Sequence, residues 1–305
     1  MTAQNSASQN TLKGLGYALA AVLIWTGFIL ISKAGAVSSM AVPDMLMVRF
    51  GTACLLFSPF IYKHRKVIFQ WRIFVLGAIG GVAYGVSVFT GFALAPATHA
   101  ALLLPGLMPV MIAVLAYFIA NERHRLSSQI GIALSSTGII ALLTETLLAD
   151  SHYLSGDLSF VIACLFWGIF TVLLRRWQFA PWHATLGIIA TTTILFVPVY
   201  ILFLPHNIAQ QSFEMLGLQA FYQGVMATTV QMVLYARAVH ILGATKMGGL
   251  MALVPVFAST LAVPMFNEQW TTGLSVALVM ILAGTLVSNL PASFFTRKRK
   301  AAAAC

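Results

Sequence analysis

Long apolar runs alternate with short polar joints along almost the whole chain. After a Thr/Ser/Asn/Gln-rich start over 1–12, apolar stretches occupy 14–36, 43–62, 72–94, 98–120, 127–148, 157–176, 183–204, 214–239, 245–266 and 271–290. Each is close to the ~20 residues an α-helix needs to cross the hydrocarbon core of a bilayer. The pattern therefore predicts an all-α integral membrane protein with ten transmembrane helices. Residues 1–12 carry no basic segment, and the run at 14–36 is too long for a signal-peptide core, so it is read as the first span, kept in the mature protein.

Composition removes the soluble alternatives. Of the 305 residues 60% are hydrophobic and only 8% charged, against roughly a quarter charged in an ordinary soluble domain. A mean hydropathy of +0.91 does not fit a water-facing surface. The net charge of +10 is not a nucleic-acid-binding face, because the basic residues sit in short clusters between apolar runs, such as Lys63–Lys66, Arg175-Arg176 and Arg297–Lys300. With both termini cytoplasmic, fifteen of the seventeen Lys and Arg residues fall on the cytoplasmic side, leaving Lys33 and Arg49. A multi-pass membrane protein with both termini cytoplasmic follows. The three cysteines form neither a disulfide pattern nor a CxxC metal spacing.

The chain also repeats itself. Pro109 precedes Glu122, and Pro255 precedes Glu268, by the same thirteen residues, and the offset of 146 also places Gly138 on Gly284. At an offset of 142, Trp25 falls on Trp167 and Lys33 on Arg175. The fold class expected is thus two inverted five-helix repeats, because an odd number of spans turns the second copy upside down. Inverted repeats characterise secondary transporters, whose substrate site lies near mid-membrane between the halves.

These residues carry a resemblance. The stretches LIWTGFILISKAG, VPDMLMVRFG, FALAPATHAALLLPGLMPVMIAVLAYFIANERHRLSSQIGIALSSTGII and YARAVHILGATKMGGLMALVPVFASTLAVPMFNEQWTTGLSVALVMILAGTLV look like the EamA family of the drug/metabolite transporter superfamily. The Trp25 to Lys33 pattern, Arg49 and the Pro109/Glu122 and Pro255/Glu268 pairs match positions that recur there; Thr26 and Ala120 depart from the usual Gly. The resemblance implies a ten-helix inner-membrane carrier, often an exporter of amino acids or other small metabolites. The organisation expected is a cytoplasmic tail over 1–13, EamA-like repeats over 14–148 and 155–290, and a basic cytoplasmic tail over 291–305.

Candidate site residues come from polar groups that a bilayer makes expensive. Arg49 is the deepest charge; it has a structural reading, bonding helix-end carbonyls or Asp44, and a substrate-contact reading. Lys33 and Arg175 lie near helix ends, where snorkelling to the interface is the plain alternative to a gate. Every acid falls at a span end, so no carboxylate stands ready to bind Na⁺ at mid-membrane. Glu122 and Glu268 are read as caps or latches of helix ends, with gating the functional alternative. Gly77, Gly81 and Gly85 make a small-residue packing face on the third helix, beside Tyr84 and Ser87. On the eighth helix Gln223, Gln231 and Tyr235 fall within about a third of the circumference at ~100° per residue. Trp25 and Trp167, at mid-span rather than at the interface, are read as aromatic walls. Pro105 with Pro109, and Pro255 with Pro264, predict kinks or breaks. His99, at a helix start, is either a substrate contact or a solvated loop-end residue.

The substrate-binding set is therefore Trp25, Tyr84, Ser87, Trp167, Gln223, Gln231, Tyr235, His99 and Arg49. The gating or structural set is Lys33, Arg175, Glu122, Glu268, Pro109 and Pro255. Helices one, three, six and eight are expected to form the pathway, and alternating access of an amino acid or similar zwitterionic or neutral solute, by export or exchange, is the activity. The rivals are a membrane-embedded enzyme and a non-transporting scaffold subunit. Against an enzyme, the chain has no HExxH, GxSxG or P-loop. No cofactor and no metal is called for. The partners expected are a small-molecule substrate and the lipid bilayer, not nucleic acid, with a homodimer left open.

Overall fold

The computed structural model describes residues 2–121, 126–149, 151–242, 247 and 250–288. Helices dominate it, and no strand occurs among the described residues. They are α1 (Thr2–Val37), α2 (Val42–Lys63), α3 (Trp71–Leu94), α4 (Ala97–Ala120), α5 (Leu126–Ala149), α6 (Leu154–Arg176), α7 (Pro181–Phe203), α8 (Phe213–Leu242), α9 (Leu253–Phe266) and α10 (Thr272–Ser288). Eight of these, α1 to α8, are long and apolar enough to cross a membrane; α9 and α10 are apolar but shorter. Helices suit this environment because each satisfies its own backbone groups where no water is available. The polar start is wound into α1, which begins at Thr2, and the membrane-length part of that helix runs over Thr11–Val37.

Local chemistry sets the helix ends. Pro43 and Pro181 stand in the first turns of α2 and α7, where a missing N–H costs nothing. Asn121 and Asn267 close α4 and α9 in the left-handed conformation, at φ 52° and 53°, which Asn tolerates better than most residues. Each is followed by glutamate in the sequence. Pro109 lies inside an unbroken α4, whereas Pro255 is buried in the first turn of α9, just past a break at Ala252.

Two helices change their winding in mid-span. Ala78–Ala83 of α3 and Ala220–Val230 of α8 are π-wound, with wider turns than the flanking α-helix. Close packing fixes the pairings. α1 packs on α8 and α9, α6 on α3 and α4, α2 on α7 and α8, α7 on α3, α4 on α9, and α5 on α10. Glycines permit the closest approaches: a Cβ at Gly77 or Gly81 would run into Thr191 or Thr192 of α7, and one at Gly85 would press on Leu46 of α2. The glycine face of α3 thus meets two helices. Gly131 and Gly284 likewise bring α5 and α10 into backbone contact. Phe92 sits at the centre of the core, edge-on to Phe28 of α1 and Phe160 of α6 with ring centroids 6.0 and 5.2 Å away.

Candidate functional site

Arg49 begins the site. It lies seven residues into α2, ~10 Å from the helix start. Its Nη1 donates to Gln223 Oε1 of α8 at 3.3 Å, and its guanidinium stands 5.2 and 5.6 Å from the ring centres of Phe28 and Phe50. Its Nε is buried with no hydrogen-bond partner. Asp44, the acid expected as one partner, is engaged elsewhere. It accepts from Tyr200 Oη at 2.6 Å and from the Asn207 backbone N–H at 2.8 Å.

Gln223 is fully buried and held by a relay. The Ser32 hydroxyl donates to the Phe28 carbonyl at 2.6 Å and accepts from Gln223 Nε2 at 2.8 Å. Because that hydroxyl has spent its one proton on Phe28, it can only accept from the amide. The amide nitrogen must therefore face Ser32, and its oxygen must face Arg49.

An aromatic wall adjoins this relay. Tyr84 of α3 is buried, with its ring 4.9 Å from that of Trp167 on α6, which in turn lies 5.1 Å from Phe170. Tyr84 shares one apolar cluster with Phe28 and Phe50, the two rings beside Arg49, and Trp167 packs against that cluster. α1, α2, α3, α6 and α8 thus converge near the middle of the bundle. Trp25 packs half-buried against the same core.

Ser87 turns its hydroxyl onto the Ala83 carbonyl of its own helix, at 2.8 Å. Gln223 lies in the π-wound stretch of α8 and Gln231 and Tyr235 follow it in α-helix, so the smaller rotation per residue keeps the three on one side of the helix. Gln223 is fully buried, Gln231 half-buried and Tyr235 38% exposed. His99 is not a solvated loop-end residue. It is 15% exposed and its Nδ1 lies 2.9 Å from Oδ1 of the wholly buried Asp157 on α6.

The gate candidates separate as well. Lys33 does not snorkel to the interface. Its ammonium donates to the carbonyls of Phe92 (3.1 Å) and Ala95 (2.7 Å) at the end of α3. Glu268 accepts from the backbone N–H groups of Ala97 (2.5 Å) and Thr98 (2.8 Å) at the start of α4. One short joint is clamped from both sides. Arg175 is exposed in the last turn of α6, beside Arg176, which donates to the Ile119 carbonyl at 3.2 Å. Glu122 lies outside the described residues.

Two contacts across distant segments have no counterpart in the periodicity or spacing of the chain. Tyr200 with Asn207 ties α7 and the segment after it to Asp44. His183 Nε2 lies 3.2 Å from His64 Nδ1, joining the start of α7 to the end of α2.

The profile of the EamA-like transporter family matches residues 12–144 and again 154–290. The chain is 22% identical over 201 residues to the uncharacterized transporter YoaV of Bacillus subtilis (strain 168), covering 63% of this chain and 65% of YoaV. It is 24% identical over 225 residues to the aromatic amino acid exporter YddG of Ancylobacter novellus, covering 72% of this chain and 76% of that protein. A solved crystal structure resembles the fold with a TM-score of 0.61 at 23% identity, over 92% of this chain and 96% of the other.

Proposed function

The chain belongs to the EamA-like transporter family, and from that premise we propose that it is a secondary carrier of small metabolites, of the amino acid type, working by alternating access. The observation that carries this reading is the mid-bundle convergence of Arg49, Gln223, Tyr84 and Trp167, which draws on helices from both halves of the chain. A buried guanidinium and a fixed amide beside aromatic rings make a binding surface for a small polar solute, not a catalytic cluster. The family and the name of the YddG relative support an exporter or exchanger rather than an enzyme.

The architecture proposed is ten spans in two inverted five-helix repeats, at 14–148 and 155–290. Several observations support it. The family profile matches twice. The packing pairs exchange under the repeat: α1 on α8 answers α6 on α3, α1 on α9 answers α6 on α4, and α2 on α8 answers α7 on α3. The π-wound stretches of α3 and α8 coincide at the offsets read from the sequence. Asn121 and Asn267 end α4 and α9 in the same left-handed turn. Both termini are placed in the cytoplasm and the protein in the inner membrane, as the distribution of basic residues favours.

The test is counterflow in proteoliposomes. Vesicles loaded with each of the twenty L-amino acids are assayed for uptake of the same labelled solute, and purified protein is screened for thermal stabilisation by the same panel. Exchange of at least one solute without its chemical alteration is the expected result. A solute that is turned over, or a panel with neither exchange nor stabilisation, refutes the reading.

A further inference from the structure

We propose that Arg49 is the carboxylate anchor of the transported solute, so that the carrier selects small molecules bearing one carboxylate group. The inference rests on the transport reading above and names the chemistry of its site.

A guanidinium at this depth is costly in hydrocarbon and is retained where something answers its charge. Among the described residues nothing does. Among the described residues no carboxylate forms an ion pair with Arg49, and the acid nearest in sequence on its own helix, Asp44, has both oxygens engaged by Tyr200 and Asn207. The contacts Arg49 does make are neutral: one 3.3 Å hydrogen bond to Gln223 and the faces of Phe28 and Phe50. They hold the group in place without cancelling its charge.

The position is also preset. The relay from Phe28 through Ser32 to Gln223 fixes which end of the amide faces Arg49, and so fixes Nη1. Nε remains buried and unpartnered. A buried donor without an acceptor is unfavourable, and a planar carboxylate accepts from Arg through two parallel N–H bonds, one of which Nε can supply. The single positive charge matches a monoanion. A phosphate dianion would be left half-neutralised, an amine would be repelled, and a neutral solute would leave the guanidinium uncompensated. Tyr84 and Trp167 stand beside the anchor as the apolar surface for the rest of the solute.

The experiment compares each amino acid that exchanges with its amide, in which the carboxylate is capped, and with its decarboxylated amine. Wild type, R49K and R49Q are reconstituted in proteoliposomes, and folded protein is measured by size-exclusion chromatography. The expected result is at least about tenfold weaker half-saturation for the amide than for the acid in wild type. R49Q is expected to weaken the acid by at least about tenfold while changing the amide less than about twofold. R49K is expected to fall between, because an ammonium supplies charge without the planar fork. Equal handling of acid and amide by wild type overturns the proposal, as does a folded R49Q that loses both alike. If R49Q does not fold, the comparison of acid with amide in wild type and R49K decides it. Exchange of amines or amides but not acids overturns the anchor and leaves transport standing. No exchange or stabilisation by any acid, amide or amine refutes transport, and the anchor with it.

Discussion

Glu268 offers the most direct test of how the halves are held together. Its carboxylate accepts the first N–H groups of α4, while Lys33 donates to the last carbonyls of α3 across the same joint. Backbone groups at helix ends have no partner inside the helix, so these two side chains supply what the winding cannot. Capping bonds are each worth about 1 kcal/mol, with at most about another 1 kcal/mol from the helix dipole. Glu268→Ala should therefore cost ~2 kcal/mol, and Glu268→Gln, which keeps one acceptor and loses the charge, ~1 kcal/mol. Lys33→Met should cost about as much as Glu268→Ala. The double variant Lys33→Met with Glu268→Gln should fall short of the sum by ~0.5–1 kcal/mol, because both side chains steady one joint. Reversible unfolding in mixed detergent micelles, followed by circular dichroism, measures each value. Full additivity, or a Glu268→Gln variant as stable as wild type, would refute the clamp.

The other predictions use different readouts. Trp25→Ala, Tyr84→Ala, Trp167→Ala and Gln231→Ala should each lower transport per folded molecule by about fivefold for ~1 kcal/mol of lost contact, whereas Phe57→Ala and Phe196→Ala should lower folded yield alone; wild-type ratios in the first four would displace the site. A Cβ at Gly27 would overlap the Tyr222 hydroxyl, which donates to the Ile24 carbonyl at 3.1 Å. Gly27→Ala should therefore cost ~1–3 kcal/mol by overpacking, and Tyr222→Leu in the same chain should restore part of the folded yield. Single cysteines at positions 64 and 300 should resist a membrane-impermeant thiol reagent applied from outside, and one at 152 should react; the opposite pattern reverses the topology.

The sequence made the helices legible because hydropathy is nearly all a bilayer asks of them. The runs at 43–62, 72–94 and 98–120 fall within a few residues of α2, α3 and α4. Depth was legible too, since Arg49 stands out as a charge inside an apolar run. Its neighbours were not. Gln223 is 174 residues away, and periodicity describes the faces of one helix without saying which faces meet. Asp44, the acid nearest in sequence, was a natural partner for Arg49, but Tyr200 and Asn207 reach it first. The snorkelling reading of Lys33 and the solvated reading of His99 fail for a shared reason: a position near a helix end is not here a position near water, because the joint between α3 and α4 is packed and its helix-end backbone groups are paired by side chains.

The change of winding within α3 and α8 bears on how the two copies came to differ. The π-wound stretch spans six residues in α3 and eleven in α8, while the offset between the copies drifts from 142 near the start of each to 146 near the end. A wide turn holds more residues per revolution, so extra residues can be lodged inside a span instead of in a loop. Residues taken up in this way leave the helix beyond them facing nearly as before and alter the lining only where the turns widen. A duplicated chain could in this way depart from symmetry at mid-span, where the proposed site lies, and still present matching helix ends to the two surfaces.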